Sequence, residues 1–199
     1  MRNRKIYLYV RGEEKGIIDL LSVFTEVTVK KYSNHYLEII VEGMKVKDIL
    51  LNAREFSLGE LYQDFTAFIV PFEFDFPIEE ILNLLPILTP QIYTIEKLIP
   101  EMVFLSKWKF LKELKNYYYS KFNSETIETV LGFINNNLNA TKTSKVLYMH
   151  RNTLNYRLDN FVKKTEIDIR TFQGALAINL LFRRWFVHIA YIKIIFFFI

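Results

Sequence analysis

The chain has no cysteine, and only six glycines and five prolines in 199 residues; each shortage excludes something. Without cysteine there is no disulfide framework and no thiolate metal site, which suits a reducing cytoplasm. So little glycine and proline, beside 18 phenylalanines and 12 tyrosines, argues against a disordered chain. His35, His150 and His188 stand far apart, none with a second His or a Cys at i+3 or i+4, so neither metal nor cofactor is expected. Also missing are a glycine-rich phosphate loop, a G-x-S-x-G string and any legible Ser/His/Asp grouping. The opening MRNRKIYLYVRGEE contains no apolar run of signal-peptide length.

What is present is apolar residues, 51% of the chain, enough to fill one large domain or two small ones. Charge is unevenly spread. Residues 1–122 hold 16 Lys and Arg against 17 acids, whereas residues 123–199 hold 10 against 5, a net of +5. A positive half of this kind is the footprint expected of a partner rich in phosphate.

Along the first half, Lys5–Val10 reads as a strand and Glu13–Phe24 as a helix, with Ile17, Leu20, Leu21 and Phe24 at helical spacing. Glu26–Tyr32 and Tyr36–Val41 read as a hairpin around Ser33-Asn34, Val46–Phe56 as a surface helix, and Thr66–Pro71 as a buried strand. The order β-α-β-β-α-β predicts a small ferredoxin-like sandwich, making the whole α+β. The acids Asp64, Glu73, Asp75, Glu79 and Glu80 around Phe72–Phe76 offer carboxylates for acid–base work, but a solvated loop is the expectation. Helices follow at Ile78–Leu85 and Ile95–Leu105, broken by Pro86, Pro90 and Pro100. Ser106–Phe122 is a basic, aromatic helix linking the two halves, with Trp108, Phe110 and Tyr117–Tyr119 as packing or dimer-contact residues.

Asn123 or Ser124 caps a helix over Glu125–Asn137 whose buried stripe is Ile127, Val130, Leu131 and Ile134. A last helix, Thr171–Arg184, turns Leu176, Leu180 and Leu181 to a small core. Between them lies TKTSKVLYMHRNTLNYRLDNFVKK, with six basic residues against the single acid Asp159. A short helix over Thr141–Tyr148, with Ser144 the small residue facing its partner, is joined through His150 to a second over Arg151–Lys163. Leu154, Leu158 and Phe161 recur at i, i+4 and i+7, leaving Arg151, Asn152, Asn155, Tyr156 and Asp159 on the other side. That pattern predicts a helix-turn-helix whose second helix enters the DNA major groove. Asn pairs in bidentate fashion with adenine and Arg with guanine, while Lys142, Lys145, Arg157, Lys163 and Lys164 are expected on phosphates.

The run His150-Arg151-Asn152-Thr153-Leu154, followed by Tyr156-Arg157-Leu158, resembles the effector-domain signature of the PucR/CdaR-type bacterial transcriptional regulators. Thr143–Leu147 upstream and Leu176–Arg184 downstream extend the resemblance over residues 123–185. It implies a Fis-like helix-turn-helix in which His150, Arg151, Asn152, Asn155 and Tyr156 approach DNA bases. Asn155 stands where the family often has Arg, leaving the preferred base open. Upstream, the element order resembles the degenerate GGDEF-like domain that often precedes this effector, although no GGDEF or GGEEF string occurs. The family's usual N-terminal sensory domain is expected to be missing.

Trp185–Ile199 departs from the family pattern: intensely apolar, it falls short of the ~20 residues that span a bilayer. A packing helix or a dimer contact is expected there, ahead of a membrane-associated tail or the product of an altered reading frame. The expected organisation is a regulatory or dimerising unit at 1–104, a linker at 105–122, the DNA-binding unit at 123–185 and the tail at 186–199. The expectation is a cytoplasmic homodimer that binds double-stranded DNA and is not an enzyme. The rival reading makes the helical unit and the tail a protein-interaction module.

Overall fold

A computed structural model describes residues 3–24, 27–33, 35–42 and 46–182. The tail, with Arg183, Arg184 and His188, lies outside them.

Among the described residues the protein is mixed α+β, with a five-stranded sheet and a mostly helical C-terminal part. Strands β1 (Asn3–Val10), β2 (Val27–Ser33), β3 (Tyr36–Glu42), β4 (Phe65–Ile69) and β5 (Ile92–Tyr93) lie in the order β2-β3-β1-β4-β5. β1 runs antiparallel to both β3 and β4, and β2 antiparallel to β3. β5 adds to the edge parallel to β4, through Ala67↔Ile92 and Phe68↔Tyr93.

Period-two alternation decides what each face buries. Ile6, Leu8 and Val10 of β1 and Leu37, Ile39 and Val41 of β3 meet Ile17 and Leu21 of α1 (Glu14–Phe24) and Leu50 and Ala53 of α2 (Val46–Phe56). A bidentate pair, Arg54 Nε and Nη2 on Asp64 at 2.7 and 2.8 Å, ties the end of α2 to the start of β4. Tyr7 and Phe68 belong instead to a second core. That core runs through α3 (Ile78–Leu82), α4 (Ile95–Phe104), α5 (Trp108–Lys121), α6 (Ser124–Asn135), α8 (Arg151–Thr165) and α9 (Phe172–Phe182). α7 (Ala140–Val146) packs on α6 and α8.

The helical half departs from the periodicity reading in three places. Pro100 does not break its helix: α4 runs through it from Ile95 to Phe104, with Ile95, Leu98, Ile99 and Met102 buried. The hydrogen bond that Pro100 cannot donate is offset by this apolar burial against α9. Along α6 the core side is Ile127, Val130 and Phe133, with Leu131 and Ile134 only half-buried. Along α9 Leu176 faces outward, and Ile178, Leu181 and Phe182 close the core. Phe110 and Tyr118 of α5 do pack as expected, buried with Leu111 and Leu114 in the core that also holds α6, α8 and α9.

A polar joint adds to this shared core in fastening the sheet to the helical half. Arg4 Nη1 on β1 donates to both carboxylate oxygens of Glu166, at 2.9 and 2.8 Å, and to the Val70 carbonyl at 3.0 Å, across 162 residues of sequence. The guanidinium lies 3.5 Å from the Phe72 ring centroid, and the Phe72 N–H donates to Glu166 at 2.7 Å. Glu166 is the residue that ends α8.

Among the described residues no helix is long and apolar enough to cross a membrane, and no His, Cys, Asp and Glu group forms a metal site. Of the acids around Phe72–Phe76, Asp64 pairs with Arg54 and Asp75 with Lys121, so each has a cation and not a second carboxylate as its partner.

Candidate functional site

The candidate site is assembled by three local capping events. Asn123 caps α6 by accepting from the Thr126 N–H at 3.0 Å, and Asn139 caps α7 by accepting from the Lys142 N–H at 2.9 Å. His150 caps α8: its Nδ1 accepts from the Asn152 N–H at 3.2 Å. These caps satisfy N–H groups that a helix start leaves without an internal partner. The cap on α8 requires an unprotonated Nδ1, which leaves Nε2–H of His150 as the outward donor.

Between α7 and α8 the chain reverses in a Schellman turn. Met149 N–H donates to the Ser144 carbonyl at 3.0 Å and Tyr148 N–H to the Lys145 carbonyl at 3.3 Å. The left-handed residue of that turn is Tyr148, at φ 49°, where glycine is the usual occupant. α7 therefore ends at Val146, earlier than its expected end at Tyr148. Tyr148 is 98% exposed and has no packing to lose. Tyr148→Gly should stabilise the fold by about 0.5–1 kcal/mol, since relief of left-handed strain exceeds the added chain entropy of glycine. Thermal melting checks this, and a lowered Tm would contradict it.

The first helix packs through residues other than the expected one. Thr143, not Ser144, is fully buried, its Oγ1 donating back to the Asn139 carbonyl at 2.8 Å. Ser144 is half-buried and donates to the Thr141 carbonyl at 3.1 Å. The close approach is at Gly132 of α6, where a Cβ would stand 2.9 Å from Leu147 Cδ1. A one-residue rotation of a short helix is enough to exchange Thr143 and Ser144.

α8 is held from beneath by Leu154, Leu158 and Phe161, all buried, with Thr165 continuing the stripe. Its outer side carries Arg151, Asn152 and Lys163, all exposed, and Tyr156, 71% exposed. Asn155 flanks this face and is half-buried. His150, Lys142, Lys145 and Lys164 are exposed around the same motif.

Arg157 differs from the other cations assigned to phosphate. Its Nη1 donates to Thr129 Oγ1 at 3.1 Å, and its guanidinium is paired with the Glu125 carboxylate on α6. It braces α8 against α6. Asp159, the single acid of the motif, is paired with Arg170 at 2.6 Å, which offsets negative charge on the outer face. Neither tie is legible in the sequence, because both partners come from other elements. Asn139, by contrast, has a detectable signal: an Asn directly before a helical run.

Residues 126–183 match the PucR C-terminal helix-turn-helix domain. A 53-residue stretch is 49% identical to an uncharacterized protein, YxkF, of Bacillus subtilis (strain 168). That stretch is 27% of this chain and 18% of the relative, so the similarity spans under a fifth of the relative's length. Among solved structures, a regulator of polyketide synthase expression from Bifidobacterium adolescentis is similar at a TM-score of 0.45 and 18% identity, over 91% of this chain and 80% of that one. Residues 126–183 are a PucR-type helix-turn-helix.

Proposed function

We propose that this chain, through the helix-turn-helix at residues 126–183, is a sequence-specific DNA-binding transcriptional regulator that acts by binding and not by catalysis. The observation that carries the reading is the two-sided character of α8: leucines and Phe161 bury one side, while Asn152 and Tyr156 stand open on the other. In this reading α8 enters the major groove, with Arg151, Asn152, Asn155 and Tyr156 at base edges and His150 Nε2–H donating beside them. Lys142, Lys145, Lys163 and Lys164 meet phosphates. Arg157 would join them only by exchanging Glu125 for a phosphate.

One recognition helix reads only a few base pairs, so a cytoplasmic homodimer on half-sites roughly 34 Å apart is proposed. The sandwich is read as ferredoxin-like and akin to a degenerate GGDEF-like domain; strand order β2-β3-β1-β4 favours this. Domain boundaries follow the sequence reading, 1–104, 105–122, 123–185 and the tail 186–199.

Selection of bound sequences from random duplex by the purified chain tests the reading; an enriched, two-fold symmetric motif is expected. Asn152→Ala should lose about 1–3 kcal/mol of discrimination at one base position and keep most non-specific affinity. Lys145→Ala should weaken all duplexes alike and flatten the salt dependence by about one phosphate contact. Identical behaviour of the two variants would refute the division between base and phosphate roles. Exposed Phe104 and Phe172, 84% and 81% open, favour the second reading, a protein-interaction module. It predicts self-association indifferent to salt and no duplex binding.

A further inference from the structure

An open apolar surface lies where α4 and α9 pack together. Lys97, Pro100 and Glu101 of α4 and Phe172, Gln173 and Leu176 of α9 line a groove of about 480 Å³ there. Phe104 follows Pro100 by one helical turn, on the same side of α4. Phe104 and Phe172 are 84% and 81% exposed, and Leu176 also faces outward. Large apolar side chains gathered at one place mark an interaction surface, whereas single scattered ones do not.

Two opposite charges sit among these rings. Neither Lys97 nor Glu101 has an ion pair among the described residues, although they are four residues apart on one helix. Lysine before glutamate is the weaker order for a pair within a helix, which leaves both charges to a partner. Lys97 Nζ donates to the Ile92 carbonyl at 3.4 Å, a long hydrogen bond. Burial first, then the Lys47 charge, lower its pKa, with Glu96 opposing them.

We propose that this face binds a second copy of the chain in an isologous contact. A two-fold axis near Pro100 would bring Lys97 of one copy to Glu101 of the other, and the reverse, as a self-complementary patch requires. It would also cover Phe104 and Phe172 of both copies. Two mostly open rings of roughly 150–250 Å² each supply about a third to a half of the roughly 800 Å² per partner in a standard interface. A reversible dimer is therefore expected, not a permanent one. Neither α7 nor α8 lines the groove, so both recognition helices stay open in the pair. The pairing rests on the homodimer reading above and gives it a surface.

Sedimentation equilibrium of the full chain, without duplex, tests this. A reversible monomer–dimer equilibrium is expected. Phe104→Glu and Phe172→Glu should each weaken it about tenfold or more with no fall in the monomer's Tm, since both rings are open in the single chain. Lys97→Glu and Glu101→Lys should each weaken self-association severalfold, by setting like charges against each other. Mixed one to one, these two variants should form a heterodimer about as tight as the original dimer, because opposite charges then meet twice. A chain still monomeric at millimolar concentration overturns the pairing and the homodimer reading with it. A dimer unmoved by the two phenylalanine variants overturns the pairing alone, as does a charge-reversed mixture that associates no better than its parts. A monomer whose Tm falls on Phe172→Glu overturns it too, by showing the face covered within the chain, for example by the tail. Should half-buried Lys97 not tolerate glutamate, the Phe104 and Phe172 variants still decide.

Discussion

Phe161→Ala should cost about 3–5 kcal/mol of stability, the range for deleting a buried aromatic ring. Phe161 is 0% exposed, its ring 4.9 Å from Phe122 and 6.5 Å from Tyr118. It is where α8 meets the end of α5, and both helices are already anchored by other buried residues. They cannot close in to refill the space, so the loss includes the cavity as well as the transfer of the ring. Urea unfolding should show a lower midpoint at unchanged slope. A loss under about 1 kcal/mol would mean that α8 is not seated as described.

Gly174→Ala should be destabilising by about 3 kcal/mol, opposite in sign to the gain of up to about 1 kcal/mol that helix propensity alone predicts. A Cβ at Gly174 would stand 2.2 Å from the Asp168 carbonyl oxygen and 2.6 Å from its carbon. That carbonyl is not free to withdraw, because it accepts from the Thr171 N–H at 3.0 Å and from Thr171 Oγ1 at 2.7 Å. Thr171 Oγ1 in turn accepts from the Gly174 N–H at 3.1 Å, so the turn after α8 is seated directly on the first turn of α9. Thermal melting should register a fall of about 6–12 °C. A rise in Tm would show that the turn relaxes at little cost and that propensity governs.

The two substitutions sit on different sides of what sequence patterns convey. Phe161 was legible because it continues the spacing of Leu154 and Leu158, and only one side of a helix meets a core. The same rule placed α2 at Val46–Phe56 without error. Gly174 carries no such mark: its constraint is the backbone of Asp168, and a helical pattern says nothing of what crosses it. β5 was overlooked for a related reason. Two residues, Ile92 and Tyr93, are too few to alternate, and their strand character comes from pairing with β4.

Within the candidate site, exposure of Asn152 and Tyr156 followed from helical geometry. The resemblance carried by residues 150–158 agrees with the helix-turn-helix match over 126–183. The roles of His150 as a cap, Arg157 as a brace and Tyr148 in the left-handed turn did not follow from it. Each depends on where a neighbouring backbone or a distant acid arrives.

By itself, the amino-acid order determined the periodic elements, the buried side of α8, the charge excess of the C-terminal half and the family of its helix-turn-helix. Those are local properties, settled by spacing along one segment. Tertiary structure alone decided that Glu166 answers Arg4 across 162 residues, that Thr143 and not Ser144 turns inward, and that the Tyr118 hydroxyl is buried without a partner among the described residues. Each depends on the approach of groups remote in sequence, because hydrogen bonds and packing act through space and not along the chain.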